Sequence, residues 1–275
     1  MNDDAKQPFM SHLEELRKRL IRSFLAVGVA FCGAYYFSED LFKLLIEPLT
    51  KALPKGQTLI FTNLPEMFFT YLKTAFIAGI LIASPVIFYQ LWKFIAPGLY
   101  QNEKRYVIPF VITSTLLFIS GALFGYFIVF PFGFRFFLGF ANENLKALPS
   151  VQQYFGFASK LLLAFGLVFE LPVVIFFLSK MGIVSVPLLK KSRKYAILLA
   201  FVAAAILTPP DAATQCMMAV PLIVLYEIGI IVARFARPVK KKDEEEEEEG
   251  EEEEKKKKKE KKEKNKDKEN YRKNY

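Results

Sequence analysis

The chain has 275 residues, of which 53% are hydrophobic, and its formal net charge is +9. The last 36 residues, 240–275, contain 15 basic and 15 acidic side chains, so residues 1–239 carry the whole net charge and nearly all of the hydrophobicity. A soluble domain of that length could not cover so much apolar surface. The composition therefore excludes an ordinary soluble domain and predicts a polytopic membrane protein with a disordered polar tail.

Histidine and cysteine are too scarce to build a metal centre. His12 is the one histidine of the sequence, and Cys32 and Cys216 are its two cysteines. Both cysteines lie in apolar stretches, where we expect buried free thiols rather than a disulfide. The sequence has no G-x-x-x-x-G-K-[ST] run for a nucleotide and no Ser/His pair for an intramembrane enzyme. We expect no metal, no cofactor and no nucleic-acid partner.

Six apolar runs, each almost free of charge, predict transmembrane helices. In chain order they are Ser23–Ser38, Thr74–Trp92, Tyr106–Phe134, Leu161–Ser179, Tyr195–Pro210 and Ala212–Ala233. Six spans place both termini on one side of the membrane. That side has 15 basic residues against 7 on the other, which predicts that both termini are cytoplasmic. The larger outer connections are then 39–73 and 135–160.

The fifth run is too short to cross an unperturbed bilayer. Tyr195–Pro210 has 16 residues, about 24 Å of helix against a hydrocarbon core of about 30 Å. The hairpin that it forms with the sixth run either thins the bilayer or is covered by another helix, and helix fraying is the alternative. Prolines inside or beside the spans also favour kinks. They are Pro85, Pro109, Pro131, Pro172 and Pro221.

The segment before the first span predicts an amphipathic helix. Ser11 and Glu14 have the spacing of a capping box, which favours a helix start at this point. Apolar residues recur at helical spacing through residues 9–20, so we expect this helix to lie on the inner membrane interface. The spacing of Glu14 from Lys18 and of Glu15 from Arg19 predicts surface ion pairs. Charges before the first apolar run argue against a cleavable signal peptide.

Four short motifs, taken together, resemble one protein family. Residues 9–20 read FMSHLEELRKRL, residues 84–100 read SPVIFYQLWKFIAPGLY, and Glu103-Lys104-Arg105 follows. Further along, Phe165-Gly166 precedes Phe169-Glu170-Leu171-Pro172, and residues 207–211 read LTPPD. This combination resembles TatC, the family of core subunits of the twin-arginine protein translocase. The resemblance covers roughly residues 8–237.

The resemblance implies a fold and a function. The implied fold has six kinked transmembrane helices that form a concave, glove-like wall. We expect a cytoplasmic amphipathic region at 1–22, the six-helix domain at 23–237 and a disordered charged tail at 238–275. The implied function is a receptor for signal peptides with two consecutive arginines, in a translocase that moves folded proteins with the proton-motive force. Expected partners are TatA, TatB, membrane lipid and further subunits of the complex, in the bacterial inner membrane.

The resemblance also implies two groups of functional residues. The signal-peptide site is expected at Glu15, Arg17, Phe94, Leu99 and Glu103. Partner contacts or transport are expected to involve Pro48, Tyr126, Glu170, Thr208, Asp211 and Gln215. Physical chemistry supports the first group, because guanidinium groups pair well with carboxylates. Without the resemblance, simple surface pairs explain the same carboxylates: Glu15 with Arg19, and Glu103 with Lys104 or Arg105.

Glu170 is a carboxylate in the middle of an apolar run. Its insertion costs about 2.5–3.5 kcal/mol, so it is expected to face a cavity, a partner or a polar groove. A polar seam, a proton relay and a protonated structural residue all fit, with Gln152, Gln153 and Ser159 as polar neighbours if the fold brings them close. Glu227 is expected to reach toward Arg234. A proton-coupled small-solute carrier is the competing function, although the chain shows no convincing internal repeat.

Overall fold

The computed structural model describes residues 6–54, 57–95, 107–141, 147–208 and 211–236, and these residues are almost entirely helical. A π-helical turn at Gly125–Val129 continues α4 into α5. The helices are α1 (Lys6–Tyr36), α2 (Ser38–Ala52), α3 (Glu66–Ile95), α4 (Val107–Phe124), α5 (Phe130–Leu138), α6 (Val151–Phe169), α7 (Leu171–Lys180), α8 (Val186–Lys191), α9 (Arg193–Leu207) and α10 (Ala212–Ala233). The predicted all-α membrane fold is confirmed. The predicted tail at 238–275 lies outside the described residues.

Within the described residues, four helical segments are long and apolar enough to cross a membrane. They are Glu66–Ile95, Val107–Leu138, Val151–Lys180 and Ala212–Ala233. The first two helices together would make a fifth, but a bend of 83° separates them. The short fifth run predicted from the sequence is α9, which has only 15 residues. Length and composition therefore support four or five spans and do not confirm the predicted number of six.

The first helix is longer than the sequence predicts. It is already helical at Lys6, upstream of the capping box of Ser11, and it continues without a break to Tyr36. No proline interrupts the chain from residue 9 to residue 36, so nothing ends an interfacial helix near residue 22. The expected interfacial segment and the first span are one helix.

The second helix and two loops form a region that we call the cap, consisting of α2, residues 57–65 and residues 147–150. One face of α2 is buried, with Phe42, Leu45 and Leu49 at helical spacing. The two loops join through backbone hydrogen bonds. The N–H of Ile60 donates to the carbonyl of Pro149 at 3.1 Å, and the N–H of Val151 donates to the carbonyl of Ile60 at 2.9 Å.

The bundle is held together by close helix contacts and by aromatic side chains. Helix α1 packs along α3, α4 packs against α6, and α10 packs against both α7 and α9. Phe130 and Phe165 are almost completely buried in the main core. At Gly121 in α4, an added Cβ would lie 2.4 Å from the carbonyl oxygen of Phe165, so only glycine allows α4 and α6 to approach this closely.

Two of the five prolines coincide with irregular backbone. The π-helical turn ends two residues before Pro131, and the break between α6 and α7 at Glu170 lies two residues before Pro172. Helix α3 continues through Pro85, and α10 continues through Pro221. The kink expected from proline therefore appears as a break or π turn at two of these positions.

The expectation of buried thiols is wrong. Cys32 and Cys216 are both free, as predicted, but both are exposed on the helix surface. In a membrane protein an apolar helix face can face lipid tails, which are as apolar as a protein core. An apolar sequence neighbourhood therefore does not predict burial inside the protein.

Candidate functional site

The N-terminal end of the bundle is formed by the first turns of α1 and the last turn of α3. The ring of His12 stacks on the ring of Phe94, with the centroids 4.4 Å apart and the planes at 17°. Glu15 lies about one helical turn beyond His12 on α1. The fold thus brings Glu15 and Phe94, two of the expected signal-peptide residues, to the same place.

Glu15 is paired with Arg19 on its own helix. Arg19 Nε donates to Glu15 Oε1 at 3.1 Å, and Arg19 Nη2 contacts the same oxygen. The Arg19 side chain is only 10% exposed, whereas that of Glu15 is 35% exposed. Glu14 and Lys18 form the second expected pair, with a separation of 3.9 Å and both side chains exposed. Both ion pairs predicted from the i,i+4 spacing are confirmed.

Positive charge surrounds this carboxylate. Arg17 and Arg22 are exposed on α1, and Lys93 is exposed on α3 beside Phe94. Arg17, an expected site residue, therefore lies on the surface of the helix that carries Glu15. The other two expected site residues, Leu99 and Glu103, lie outside the described residues.

Pro48 and Tyr126, both expected to matter for partners or transport, are linked indirectly: Tyr126 binds the carbonyl oxygen that Pro48 leaves without a helical donor. Pro48 lies inside α2 and has no N–H, so the carbonyl oxygen of Leu44, four residues earlier, lacks its helical donor. The hydroxyl of Tyr126 donates to this oxygen at 2.6 Å. The hydroxyl of Tyr154 donates to the next carbonyl, that of Leu45. The arrangement fastens α2 to the bundle.

Glu66 is a buried carboxylate that the sequence analysis missed. Its Oε2 accepts from the N–H groups of Thr62 at 2.7 Å and Asn63 at 3.2 Å, and from the Thr62 hydroxyl at 3.2 Å. Its Oε1 accepts from the N–H of Gln152 at 2.7 Å and the hydroxyl of Ser150 at 3.3 Å. One side chain therefore joins the two loops of the cap. The signal in the sequence was the spacing of Asn63 and Glu66, which resembles a capping box.

Glu170 sits at the break between α6 and α7 and is 8% exposed. Its Oε1 has no hydrogen-bond partner among the described residues. The polar neighbours suggested by the sequence do not reach it. Gln152 lies at the start of the same helical segment, about 27 Å away at 1.5 Å per residue, and the Ser159 hydroxyl donates to the Phe155 carbonyl at 2.6 Å.

The α9–α10 hairpin holds the remaining expected residues. The Thr208 hydroxyl is buried and donates to the carbonyl of Ala204 at 2.9 Å. Asp211 caps α10, because its Oδ1 accepts from the N–H of Thr214 at 2.8 Å and its Oδ2 accepts from the Thr214 hydroxyl. These bonds hold the pKa of Asp211 below its ordinary value. Gln215 Nε2 donates to the carbonyl of Phe201 at 3.1 Å.

An ion pair joins α9 and α10 at the other end of the same hairpin, and it differs from the partner expected for Glu227. Arg193 Nη2 donates to Glu227 Oε2 at 2.7 Å. From the sequence, Glu227 is expected to reach toward Arg234, which follows the end of its own helix. The neighbouring helix α9 instead brings Arg193 close, so packing between helices decides the partner.

The described residues contain no group of three or more His, Cys, Asp or Glu side chains that could hold a metal ion. The N-terminal end of the bundle presents a partly exposed carboxylate, Glu15, near the aromatic ring of Phe94. Such a pair can receive a cationic side chain and an adjoining apolar one.

Comparison with known proteins gives a consistent match. Residues 11–221 match the family model described as Sec-independent protein translocase protein (TatC). The chain is 58% identical over 241 residues to such a protein from Desulforapulum autotrophicum, covering 88% of each chain. It is 43% identical over 235 residues to the TatC protein of Escherichia coli strain K12, covering 86% of this chain and 91% of that one.

Solved structures agree with the sequence match. Two crystal structures of a twin-arginine translocase receptor, TatC, match this fold with TM-scores of 0.73 and 0.74. Their sequence identities to this chain are 45% and 46%, and the matches cover 82% and 81% of this chain and 99% of each of theirs. The small-solute carrier considered from the sequence finds no support among these relatives.

Proposed function

Because the chain belongs to the TatC family of Sec-independent protein translocase proteins, we propose that the N-terminal end of its bundle binds twin-arginine signal peptides. The chain is a multispanning membrane subunit of the twin-arginine translocase, and this is a transport role rather than an enzymatic one. The substrates are precursor proteins that carry two consecutive arginines in their signal peptides. Transport is driven by the proton-motive force, in keeping with the lack of a nucleotide-binding motif in the sequence.

The observation that carries this proposal is the position of Glu15. Its carboxylate is 35% exposed and lies on the helix turn after His12, whose ring stacks on Phe94. Both hydrogen bonds from Arg19 go to Oε1, so Oε2 is left without a contact from Arg19. A guanidinium group of the precursor can therefore reach Oε2, while Phe94 packs against the residues beside it.

The remaining residues of the proposed site complete the charge match. Glu103 supplies a second carboxylate for the second arginine, and Leu99 adds apolar contact. Arg17 lies on the exposed face of α1 and orients the approach of the peptide by repulsion. Two consecutive arginines thus need two carboxylates, and the many basic residues nearby disfavour peptides that cannot satisfy both.

The α9–α10 hairpin and the cap are proposed contact regions for the partner subunits TatA and TatB. Thr208 and Gln215 bring polar groups to the short hairpin, and Asp211 fixes its second helix. Glu170 offers an unpaired buried oxygen to a partner or substrate. Pro48 and Tyr126 act indirectly, because they fix α2 in the cap.

The proposed setting is the bacterial inner membrane, with both termini in the cytoplasm. The excess of basic residues on the side of the termini supports this orientation. Residues 1–22 then contribute to the peptide site, 23–237 form the membrane domain, and 238–275 extend from it as a charged tail. In a background without Cys32 and Cys216, a cysteine introduced at Lys51 or Lys146 should react with an impermeant reagent from outside the cell, and one at Lys191 should not.

Binding of a labelled twin-arginine signal peptide to the purified full-length chain tests the proposal. Glu15→Gln should weaken binding about tenfold or more, because a partly buried charge-assisted pair is lost. Glu14→Gln is the matched control, since Glu14 precedes Glu15 on the same helix, is exposed and pairs only loosely with Lys18. Equal effects of the two substitutions would contradict a specific site at Glu15.

A further inference from the structure

Arg19 already holds Glu15 in the way that a bound arginine would. Its Nε donates to Glu15 Oε1 at 3.1 Å, and its Nη2 contacts the same oxygen. Two nitrogens of the Arg19 guanidinium fork thus contact one carboxylate oxygen, and a guanidinium supplied by another chain can form the same charge-assisted contacts. We propose that Arg19 is a built-in competitor at Glu15: a precursor's arginine can approach Oε2, but it pairs with both carboxylate oxygens only when it displaces this internal guanidinium from Oε1. The proposal rests on the proposed function, because it requires that Glu15 receives the precursor's arginines.

The internal pair is well placed to compete. Glu15 precedes Arg19 by four residues on one continuous helix, which is the favourable order for an ion pair. An intramolecular partner acts at an effective concentration of about millimolar or above, whatever the concentration of precursor. Every ligand of Glu15 must therefore work against a partner that is always present.

The burial of Arg19 makes its displacement unfavourable. The Arg19 side chain is 10% exposed, and its Nη1 is buried without a hydrogen-bond partner among the described residues. A buried cation that loses its counter-ion is strongly destabilised. A ligand that draws the Glu15 carboxylate away from Arg19 must offset this loss, and a ligand with one weakly bound cation does not. The internal pair thus sets a threshold that favours a peptide with two arginines.

The other basic residues nearby differ from Arg19. Among the described residues, only Arg19 donates a hydrogen bond to Glu15. Arg22 lies on the next turn of the same helix and is exposed. Substitution of either arginine removes one positive charge from α1, but only substitution of Arg19 releases Glu15. Arg22 is therefore the matched control for the general effect of charge.

The test compares two labelled peptides on the purified full-length chain in lipid nanodiscs. One peptide carries both arginines, and the other has one of them replaced by glutamine. Arg19→Gln should tighten binding of both peptides about three- to tenfold, the range expected when an ion pair of moderate strength no longer competes. Arg22→Gln should change binding less than twofold, about the effect of one screened surface charge. The gain from Arg19→Gln should disappear in the Glu15→Gln/Arg19→Gln double variant.

Each other outcome decides against the proposal. If Arg19→Gln binds no more tightly than Arg22→Gln, Arg19 does not compete and serves only the fold or the orientation of Glu15. If Glu15→Gln alone leaves binding unchanged, the proposed function fails, and the competitor fails with it. Arg19→Lys keeps the charge but loses the fork, so it provides the same test should Arg19→Gln not fold. A smaller gain in affinity is expected for it, and a loss would overturn the proposal.

Discussion

Two carboxylates at opposite ends of α3 show how differently this fold uses the same chemical group. Glu66 begins α3, is 5% exposed and accepts five hydrogen bonds, four from the two loops of the cap and one from the first turn of α6. Glu15 lies beside the other end of α3, about 40 Å away at 1.5 Å per residue. It is partly exposed, and its described hydrogen bonds come from one residue, Arg19.

The difference separates a structural carboxylate from the carboxylate that we propose as a binding site. A buried acceptor whose oxygens are both occupied fixes the groups around it and has nothing left for a ligand. An acceptor with one oxygen in use and one accessible can exchange partners. Glu66 therefore explains how the cap is held, and Glu15 has an oxygen available for the arginine that we propose as its ligand.

The strongest test of this contrast is the removal of Glu66. Glu66→Ala leaves the backbone N–H groups of Thr62, Asn63 and Gln152 without their acceptor inside the cap. We expect the unfolding temperature of the detergent-solubilised chain to fall by about 5 °C or more. The fluorescence of Trp92 reports the unfolding. Binding of the signal peptide by the protein that remains folded should be unchanged.

The control for this substitution is Glu39→Ala in α2. Glu39 pairs with Lys43 at 2.9 Å, both side chains are exposed, and such surface pairs contribute little. If the control substitution lowered the unfolding temperature as much as Glu66→Ala does, the loss of any charge in the cap would have this effect. The contrast between a satisfied buried carboxylate and a surface carboxylate would then be lost.

Tyr126→Phe tests a smaller part of the cap. The change removes the hydroxyl that serves the Leu44 carbonyl left free by Pro48, and it keeps the aromatic ring. The expected loss of stability is about 1 kcal/mol, the net value of one hydrogen bond. In a Pro48→Ala background, the alanine N–H can serve the Leu44 carbonyl, so Tyr126→Phe should have less effect there. Equal losses in both backgrounds would mean that the Tyr126 bond is independent of Pro48.

The smallest expected effect concerns Asp211, which caps α10. Asp211→Asn should be nearly neutral because asparagine caps as well as aspartate, and Asp211→Ala should lower the unfolding temperature by about 2 °C. The pKa of Asp211 is lower in the folded chain than its ordinary value of about 3.9. The ionised carboxylate therefore contributes its full stabilisation to the fold above about pH 3.9, and this contribution is lost as the pH falls through the lower, folded pKa. The difference between the wild-type chain and Asp211→Asn should therefore stay constant from pH 7 to pH 5. A difference that grows within this window would contradict the capping geometry.

Local pattern predicted much of the helical fold, and packing between distant segments decided the rest. The apolar runs gave the four long spans, and i,i+4 spacing gave the Glu15–Arg19 pair. Glu227 was assigned the wrong partner because Arg193 lies on a different helix. Periodicity does not reveal which helices become neighbours, so contacts of this kind cannot be read from one segment.

The cap was the least predictable region. The prediction of an outer connection at residues 39–73 did not include any helix there, and the structure places α2 and the start of α3 within this segment. Glu66 was overlooked because its partners include Ser150 and Gln152, which are far away in the chain. The exposed cysteines show a second limit, since hydropathy cannot distinguish a helix face toward lipid from one toward protein.

Direct pairing of the Glu15 carboxylate with the arginines of the signal peptide is the basis of the proposed site. A double-mutant cycle measures this pairing: Glu15→Gln is combined with a peptide whose arginine pair is changed to glutamine, and the four dissociation constants are determined. If the carboxylate and the arginines are partners, the double change should weaken binding much less than the two single changes together, with a coupling of about 1.5 kcal/mol or more. Strictly additive losses would contradict the account and would leave Glu15 as no more than the ion-pair partner of Arg19.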